Sequence, residues 1–329
     1  MRSYPIIDRN CLDIKPLAKR QHDLGLSAIS RLGANINSKI KKKFIPVAKS
    51  IILAKEKKAA IILMLGGHVI RAGVQRYLID LMERGHISCI AMNGSGVIHD
   101  FEFSLIGATT ESVAKYIKKG QFGLWRETGL INDYINGGYK KGIGLGEAVG
   151  QAILEGDFPY KDISLLAAGF RLKIPITIHV GIGYDIIHEH PNCDGAATGA
   201  TSYRDFLYFA ENVKNLESGV VMNFGSAVMA PEVFLKALSM ARNIALKQGN
   251  SIRHFTSVVC DLYKLPHNLS KEPAKDKVAY YFRPWKTMLV RTVADGGKAF
   301  YIRGRHTDTI PALWKAINEC EKKKENPEN

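Results

Sequence analysis

The stretch "AAIILMLGGH", residues 59–68, is an unbroken apolar run that stops at two glycines and a histidine. Its length suits a β-strand, and no polar residue alternates within it. Both faces must therefore be buried, as in a parallel sheet covered by helices on each side. The next segment agrees. In "VIRAGVQRYLIDLMERG", residues 69–85, Ile70, Val74, Leu78 and Leu81 recur at helical spacing, and Gly85 stands where a C-cap belongs. "SCIAM" then reads as a second strand that runs straight into "NGSG".

The alternation continues to the end of the chain. "IPITIHV", "GVVMNF", "RHFTSVVCDL" and "KAFYIRG" read as strands, and "SLLAAGFRL", "RDFLYFAENVKNL", "PEVFLKALSMARNIAL" and "TIPALWKAINEC" as helices. Strands alternating with helices imply right-handed crossovers. The expected fold class is α/β, Rossmann-like, with a largely parallel sheet, helices on both faces and an N-terminal helical extension. Residues 1–58 form that basic extension, with helices expected at about 12–31 and 44–57. Residues 59–320 form a single α/β domain, and 321–329 a charged tail. "YKLPHNLSKEPAKDK" is expected to be a long loop.

Composition narrows the function classes. The chain has 329 residues, 46% hydrophobic and 23% charged, with a net charge of +15. No apolar run approaches the ~20 residues of a membrane helix, and the N-terminus lacks an apolar signal core. Cys11, Cys89, Cys193, Cys260 and Cys320 are odd in number, widely spaced and without a CxxC pair. A cytoplasmic protein without disulfides or a cysteine-based zinc site is expected. The lysines cluster in "KIKKKF", "KEKK" and "CEKKKENPEN" without interleaved aromatics, so nucleic acid is not an expected partner. The net charge suits acidic substrates or an acidic protein acceptor.

In open α/β sheets, ligands bind beyond the carboxyl ends of the strands. Four polar or glycine-rich stretches fall there: "GGH", "NGSGVIHD", "GIGYDIIHEHPNCDG" and "NFGSAVMAPE". "NGSG" (Asn93, Gly94, Ser95, Gly96) and "FGSA" (with Gly225 and Ser226) leave backbone N–H groups free to approach a nucleotide, or are simply tight turns. "GIGLGEAVG", residues 142–150, imitates a dinucleotide fingerprint but follows no strand. It reads as a helix start with Glu147 in the first turn.

"HVGIGYDIIHEHPNCDG", residues 179–195, admits three readings. His188 and His190, with His179, Asp185 and Asp194, could hold a divalent metal. Alternatively Asp185 anchors a cationic amine while His188 or His190 works as acid–base. In the third reading these groups only cap turns. Lys286 in "YYFRPWKT" is either an amine activated for imine formation or a surface charge.

Taken in order, "NGSGVIHDFE", "IPITIHVGIGYDIIH", "NFGSAVMAPEVFLKALSMARN" and "RPWKT…KAFYIRG" resemble the landmarks of the deoxyhypusine synthase family, over about residues 59 to 318. The likeness is nearest to its deoxyhypusine-synthase-like branch. It implies a Rossmann-like homotetramer that uses NAD to oxidise a spermidine-like polyamine and passes an aminoalkyl group through a lysine imine. By position, "NGSG" corresponds to the family's turn at the nicotinamide cofactor, Gly225 and Ser226 to a glycine-rich cofactor turn, Asp185 to the polyamine-binding acid, and Lys286 to the catalytic lysine. The family's glutamate pair is Ile98-His99 here, followed by Asp100, and its lysine–histidine segment is "MAPE", with Glu232. The expected function is NAD-assisted transfer from a small amine. A metal-assisted amidohydrolase and a non-catalytic nucleotide-binding relative remain as alternatives.

Overall fold

A computed structural model describes residues 4–34, 36–266 and 268–325. Six parallel strands form one sheet: β1 (Ile61–Leu65), β2 (Cys89–Asn93), β3 (Ile176–His179), β4 (Val220–Phe224), β5 (Thr256–Asp261) and β6 (Lys298–Arg303). Their spatial order is β3-β2-β1-β4-β5-β6. This is the doubly wound dinucleotide-fold order, in which the direction of winding reverses between β1 and β4. The architecture is α/β and Rossmann-like.

The apolar runs dictate two cores. Along β1, Ile61, Leu63 and Leu65 pack into one cluster, while Ala60, Ile62 and Met64 feed the other. A strand's side chains alternate between faces, so a run with no polar residue is buried on both. The first face is covered by α1 (Ser38–Glu56), α2 (Gln75–Glu83), α3 (Gly94–Ile106), α5 (Leu145–Glu155), α6 (Leu165–Leu172) and α9 (His306–Glu325), with α4 (Arg126–Lys141) outside α3 and α5. The second is covered by α7 (Gly195–Lys214), α8 (Met229–Lys247) and a π-helical turn, Pro284–Val290.

Three local expectations change. Residues 12–31 are not a helix but a strap of extended chain with short 3-10 turns at Leu17–Lys19 and Leu26–Ala28. Pro16 and Gly25 interrupt any helical register there. The strap is held instead by tertiary contacts: Leu17 packs with Tyr116 and Trp125, and Arg20 forms a buried bidentate pair with Glu102 at 2.8 and 2.7 Å. The second expected extension helix exists, beginning earlier at Ser38 behind Asn37, whose side chain accepts from the N–H groups of Lys39 and Ile40. The helix expected over 69–84 breaks at Gly73, where φ is +70°. A β-carbon at Gly73 would lie 1.8 Å from the Ala28 carbonyl oxygen, so the break admits the strap. The 321–329 tail continues α9 as far as Glu325, and its residues 326–329 lie outside the described residues.

Candidate functional site

All four loops expected at the carboxyl edge are there, and neighbouring strands press them together. Gly66, after β1, donates its N–H to the Phe224 carbonyl (3.2 Å). A β-carbon on Gly66 would sit 2.8 Å from the Gly225 carbonyl oxygen. Gly225, after β4, has φ +66°, which favours glycine. The Asn223 amide shapes this turn: Nδ2 donates to the Ser226 carbonyl (2.9 Å) and Oδ1 accepts from the Ser226 N–H (3.1 Å). Ser226 Oγ accepts in turn from Ala230 N–H (3.0 Å) at the start of α8.

On the other side of β1, Asn93 ends β2 and Gly94 opens α3. Ser95 donates its hydroxyl to Asn93 Oδ1 (3.0 Å), and its Oγ lies 2.4 Å from where a β-carbon of Gly67 would be. The turns after β1, β2 and β4 therefore form one glycine-lined row across the point where the winding reverses.

Asp185 extends the row. It follows β3, and its Oδ2 lies 2.0 Å from where a β-carbon of Gly94 would be. The carboxyl is buried, and burial pushes it up to about 6. The N-terminus of α3 favours a negative group there. A carboxyl raised on folding is protonated more readily in the native state. It therefore weakens the fold as pH rises from about 4 to 6, and its cost persists above that range. Asp185→Asn is expected to stabilise the protein at pH 7.5 by at most about 3 kcal/mol and to change little below about pH 4. Urea titrations at the two pH values measure the difference.

The histidines of this loop separate by role. His188 Nδ1 accepts from the N–H groups of Gly183 (3.2 Å) and Asp185 (3.3 Å), so the proton sits on Nε2, a buried atom with no partner. Burial lowers its pKa. His190 donates Nε2–H to the Gly123 carbonyl (2.9 Å), and its Nδ1 packs at Gly129 of α4. His179 shares a hydrogen bond with Thr177 (3.0 Å) and is driven down to about 3 by burial. Asp194 caps α7. Among the described residues no group of three or more His, Cys, Asp or Glu side chains could hold a metal ion. The metal reading therefore has no geometric basis here.

Two acids near the motifs are structural. Asp100 accepts from Ser164 Oγ and from the N–H groups of Leu165 and Leu166, capping α6. Glu232 pairs with Lys236 and Arg283 at the surface. Lys286 is half-buried in the π-helical turn, with Nζ 3.7 Å above the Tyr280 ring. That turn packs on β5, β6 and α8, and Met288 Sδ receives Asn223 Nδ2–H at 3.5 Å. Four strand spacings of about 4.8 Å separate β3 from β5, roughly 19 Å. Lys286 and Asp185 thus stand on opposite sides of the reversal point and do not touch.

Two groups at this edge, Arg71 and His306, are not among the residues the sequence pattern singles out. Arg71, at the end of the short helix after β1, has a buried Nε with no partner and lies 3.4 Å from His68 Nε2. His306 opens α9, sits over Gly225 and has a buried, unpartnered Nδ1. "GGH" and "RGRH" are the only local signals, and neither distinguishes a site from a turn.

No protein-family profile and no curated protein matches the chain. Solved structures do. A LOR/SDH protein of Methanococcus maripaludis S2 aligns over 89% of this chain and 74% of its own, at 13% identity and TM-score 0.52. Unliganded AgrE aligns over 88% of this chain and 34% of its own, at 11% identity and TM-score 0.52. A separate AgrE structure, in ternary complex with ornithine and NAD+, aligns at TM-score 0.48. A protein assigned as a deoxyhypusine synthase of Entamoeba histolytica aligns over 87% of this chain and 90% of its own, at 10% identity and TM-score 0.41. The chain spans about a third of the length of AgrE and of the cyanobacterial arginine dihydrolase ArgZ. With the LOR/SDH protein and unliganded AgrE, at 11–13% identity, the shared property is the fold.

Proposed function

We propose that the chain binds NAD at the reversal point of its sheet and uses it, as deoxyhypusine synthases do, to transfer an aminoalkyl group from a small polyamine-like donor to an amine acceptor. The observation that carries this reading is the glycine-lined row after β1, β2 and β4, with a buried carboxylate at its end. The residues present suit the cofactor. Asn93 stands at the end of β2, where dinucleotide folds place the group that bonds a ribose. Arg71 has no acidic partner among the described residues and supplies the cation a pyrophosphate needs. Asn93, Gly94, Ser95, Gly96, Gly225 and Ser226 line the nucleotide.

A bound NAD would supply a hydride acceptor for the carbon beside the donor's nitrogen and would return that hydride once the group has reached the acceptor amine, so that the transfer is redox-neutral overall. The chain's own part is to hold and aim the donor. Asp185 receives its ammonium in a buried setting where the charge is not screened by water. His188 is the acid–base candidate, because its Nε2 is unpartnered while the His190 ring is tied to Gly123 and packed at Gly129. Lys286 is assigned as the imine former, reached across the crevice by an extended donor or from a second copy of the chain.

Calorimetric titration tests the anchor. Asp185→Asn is expected to weaken binding of spermidine about tenfold to a hundredfold, the worth of a buried charge-assisted contact, and to leave NAD binding unchanged. Equal losses for both ligands would reduce Asp185 to a structural acid. For Lys286, borohydride in the presence of NAD and spermidine is expected to trap substrate on that residue. Lys286→Arg, which cannot be deprotonated, should abolish trapping with the fold intact. NAD binding without any turnover or trapping would identify a non-catalytic nucleotide-binding relative.

A further inference from the structure

The outer edge of β3 carries a second feature, distinct from the loop that holds Asp185 beyond the strand's carboxyl end. β3 is an edge strand, so its outward N–H groups need partners from elsewhere. Asp205 of α7 supplies one: Oδ2 accepts from Ile178 N–H (2.8 Å) and from Gly146 N–H (2.9 Å) in the first turn of α5. Two glycines permit the approach. A β-carbon on Gly146 would lie 1.7 Å from the Ile176 carbonyl oxygen, and one on Gly144 would lie 1.9 Å from Asp205 Oδ1. The aspartate is 1% exposed.

Beside it opens a cleft of about 570 Å3, within the size range of small-molecule sites. Leu166, Phe170, Ile174, Pro175 and Ile176 make its apolar walls, and its polar groups include Asp205, Glu147 and Tyr208. The charges do not balance. Neither acid forms an ion pair among the described residues; Arg204 is turned to the Tyr208 hydroxyl, and Lys173 is exposed at the rim. Burial, reinforced by the Glu147 charge, pushes the Asp205 carboxyl up to about 8, against the hydrogen bonds it accepts. The N-terminus of α5 would invite an anion, but its Gly146 N–H is already taken by Asp205 and the Glu147 charge would repel an anion there.

We propose that this cleft is a binding site for a small organic ammonium ion with an apolar body, its charge received at Asp205 and Glu147 and its hydrocarbon laid against Leu166, Phe170 and Ile176. The site is independent of the crevice: Ile174, Pro175 and Ile176 lead into β3, whereas Asp185 follows it.

Calorimetric titration of the full chain at pH 7.5 with benzylamine, benzyl alcohol and benzoate tests the proposal. Benzylamine is expected to bind at least about tenfold more tightly than the alcohol, through a charge-assisted contact, and benzoate not to bind. Proton release from Asp205 should make the heat of benzylamine binding depend on the ionisation enthalpy of the buffer. Glu147 is half-buried, and its substitutions spare the core. Glu147→Gln should therefore weaken benzylamine several-fold and Glu147→Lys abolish its binding, with melting temperature little changed. Equal affinities for amine and alcohol, or unchanged binding in Glu147→Lys, would overturn the site. So would benzylamine binding that Asp185→Asn removes and Glu147→Lys does not, because the ligand would then occupy the crevice.

Discussion

Glu102→Ala is expected to lower folding stability by about 3–5 kcal/mol, because it leaves the Arg20 guanidinium buried without its counter-charge. Both side chains are 1% exposed. Glu102 also accepts from Thr109 Oγ1 (2.6 Å) and Thr128 Oγ1 (2.7 Å), so four donors converge on one carboxylate. Burial alone would raise its pKa; the bonds from Arg20, Thr109 and Thr128 overcome that and hold it below its ordinary value. A depressed carboxyl contributes stability at neutral pH that is lost as pH falls through its folded value. Arg20→Ala is the harsher test of geometry, since it also frees the strap. A paired replacement by apolar residues of similar volume should recover most of the loss. Urea denaturation followed by circular dichroism measures each variant. A loss under about 1 kcal/mol for Glu102→Ala would mean that water reaches the pair.

Gly73→Ala is expected to cost about 2–5 kcal/mol. A left-handed backbone accounts for about 1–2 kcal/mol of that, and displacement of the Ala28 carbonyl for the rest. The Ser30 N–H bond to the Gly73 carbonyl (2.8 Å) would be disturbed with it. Because Gly73 and Glu102 both act on the strap, the double variant should lose less than the two single losses combined. Strict additivity in the same urea series would show that the two anchors hold separate pieces of chain. Limited proteolysis should then cut within residues 12–31 in either single variant before it cuts the sheet.

The strap also shows what the sequence conceals. Arg20 and Glu102 are far apart in the chain, and nothing local marks either as a partner. The helix expected at 12–31 fails because Pro16 and Gly25 break the register, and tertiary contacts then hold the chain extended. The strands are legible because β1 carries no polar side chain and β2 and β4 carry only Asn93 and Asn223, each within the last two positions, a pattern that double-sided burial produces. The break at Gly73 is not legible, since its cause is a carbonyl from the strap. At the site, "NGSG" and Asp185 can be placed at one edge because each follows a strand, and β2 and β3 are neighbours. That His190 is tied to Gly123 while His188 keeps a free Nε2 depends on a loop packing from elsewhere. Arg71 and His306 matter through atoms left without partners, a property no spacing reveals. The distance between Lys286 and Asp185 follows from strand order, which alternation alone does not determine.

The carboxylate that occupies the outward N–H of Ile178 has a consequence for assembly. An edge strand with free N–H groups is a template on which another chain can pair. At β3 that position is taken by Asp205 and crowded by the first turn of α5. At the other edge, β6 exposes Lys298 and Arg303, charges that a pairing strand would have to accommodate. Neither border of the sheet welcomes continuation into a neighbour. Copies of this chain that associate are expected to meet through helices and loops rather than by joining sheets, with the sheet of each subunit ending at its own edges.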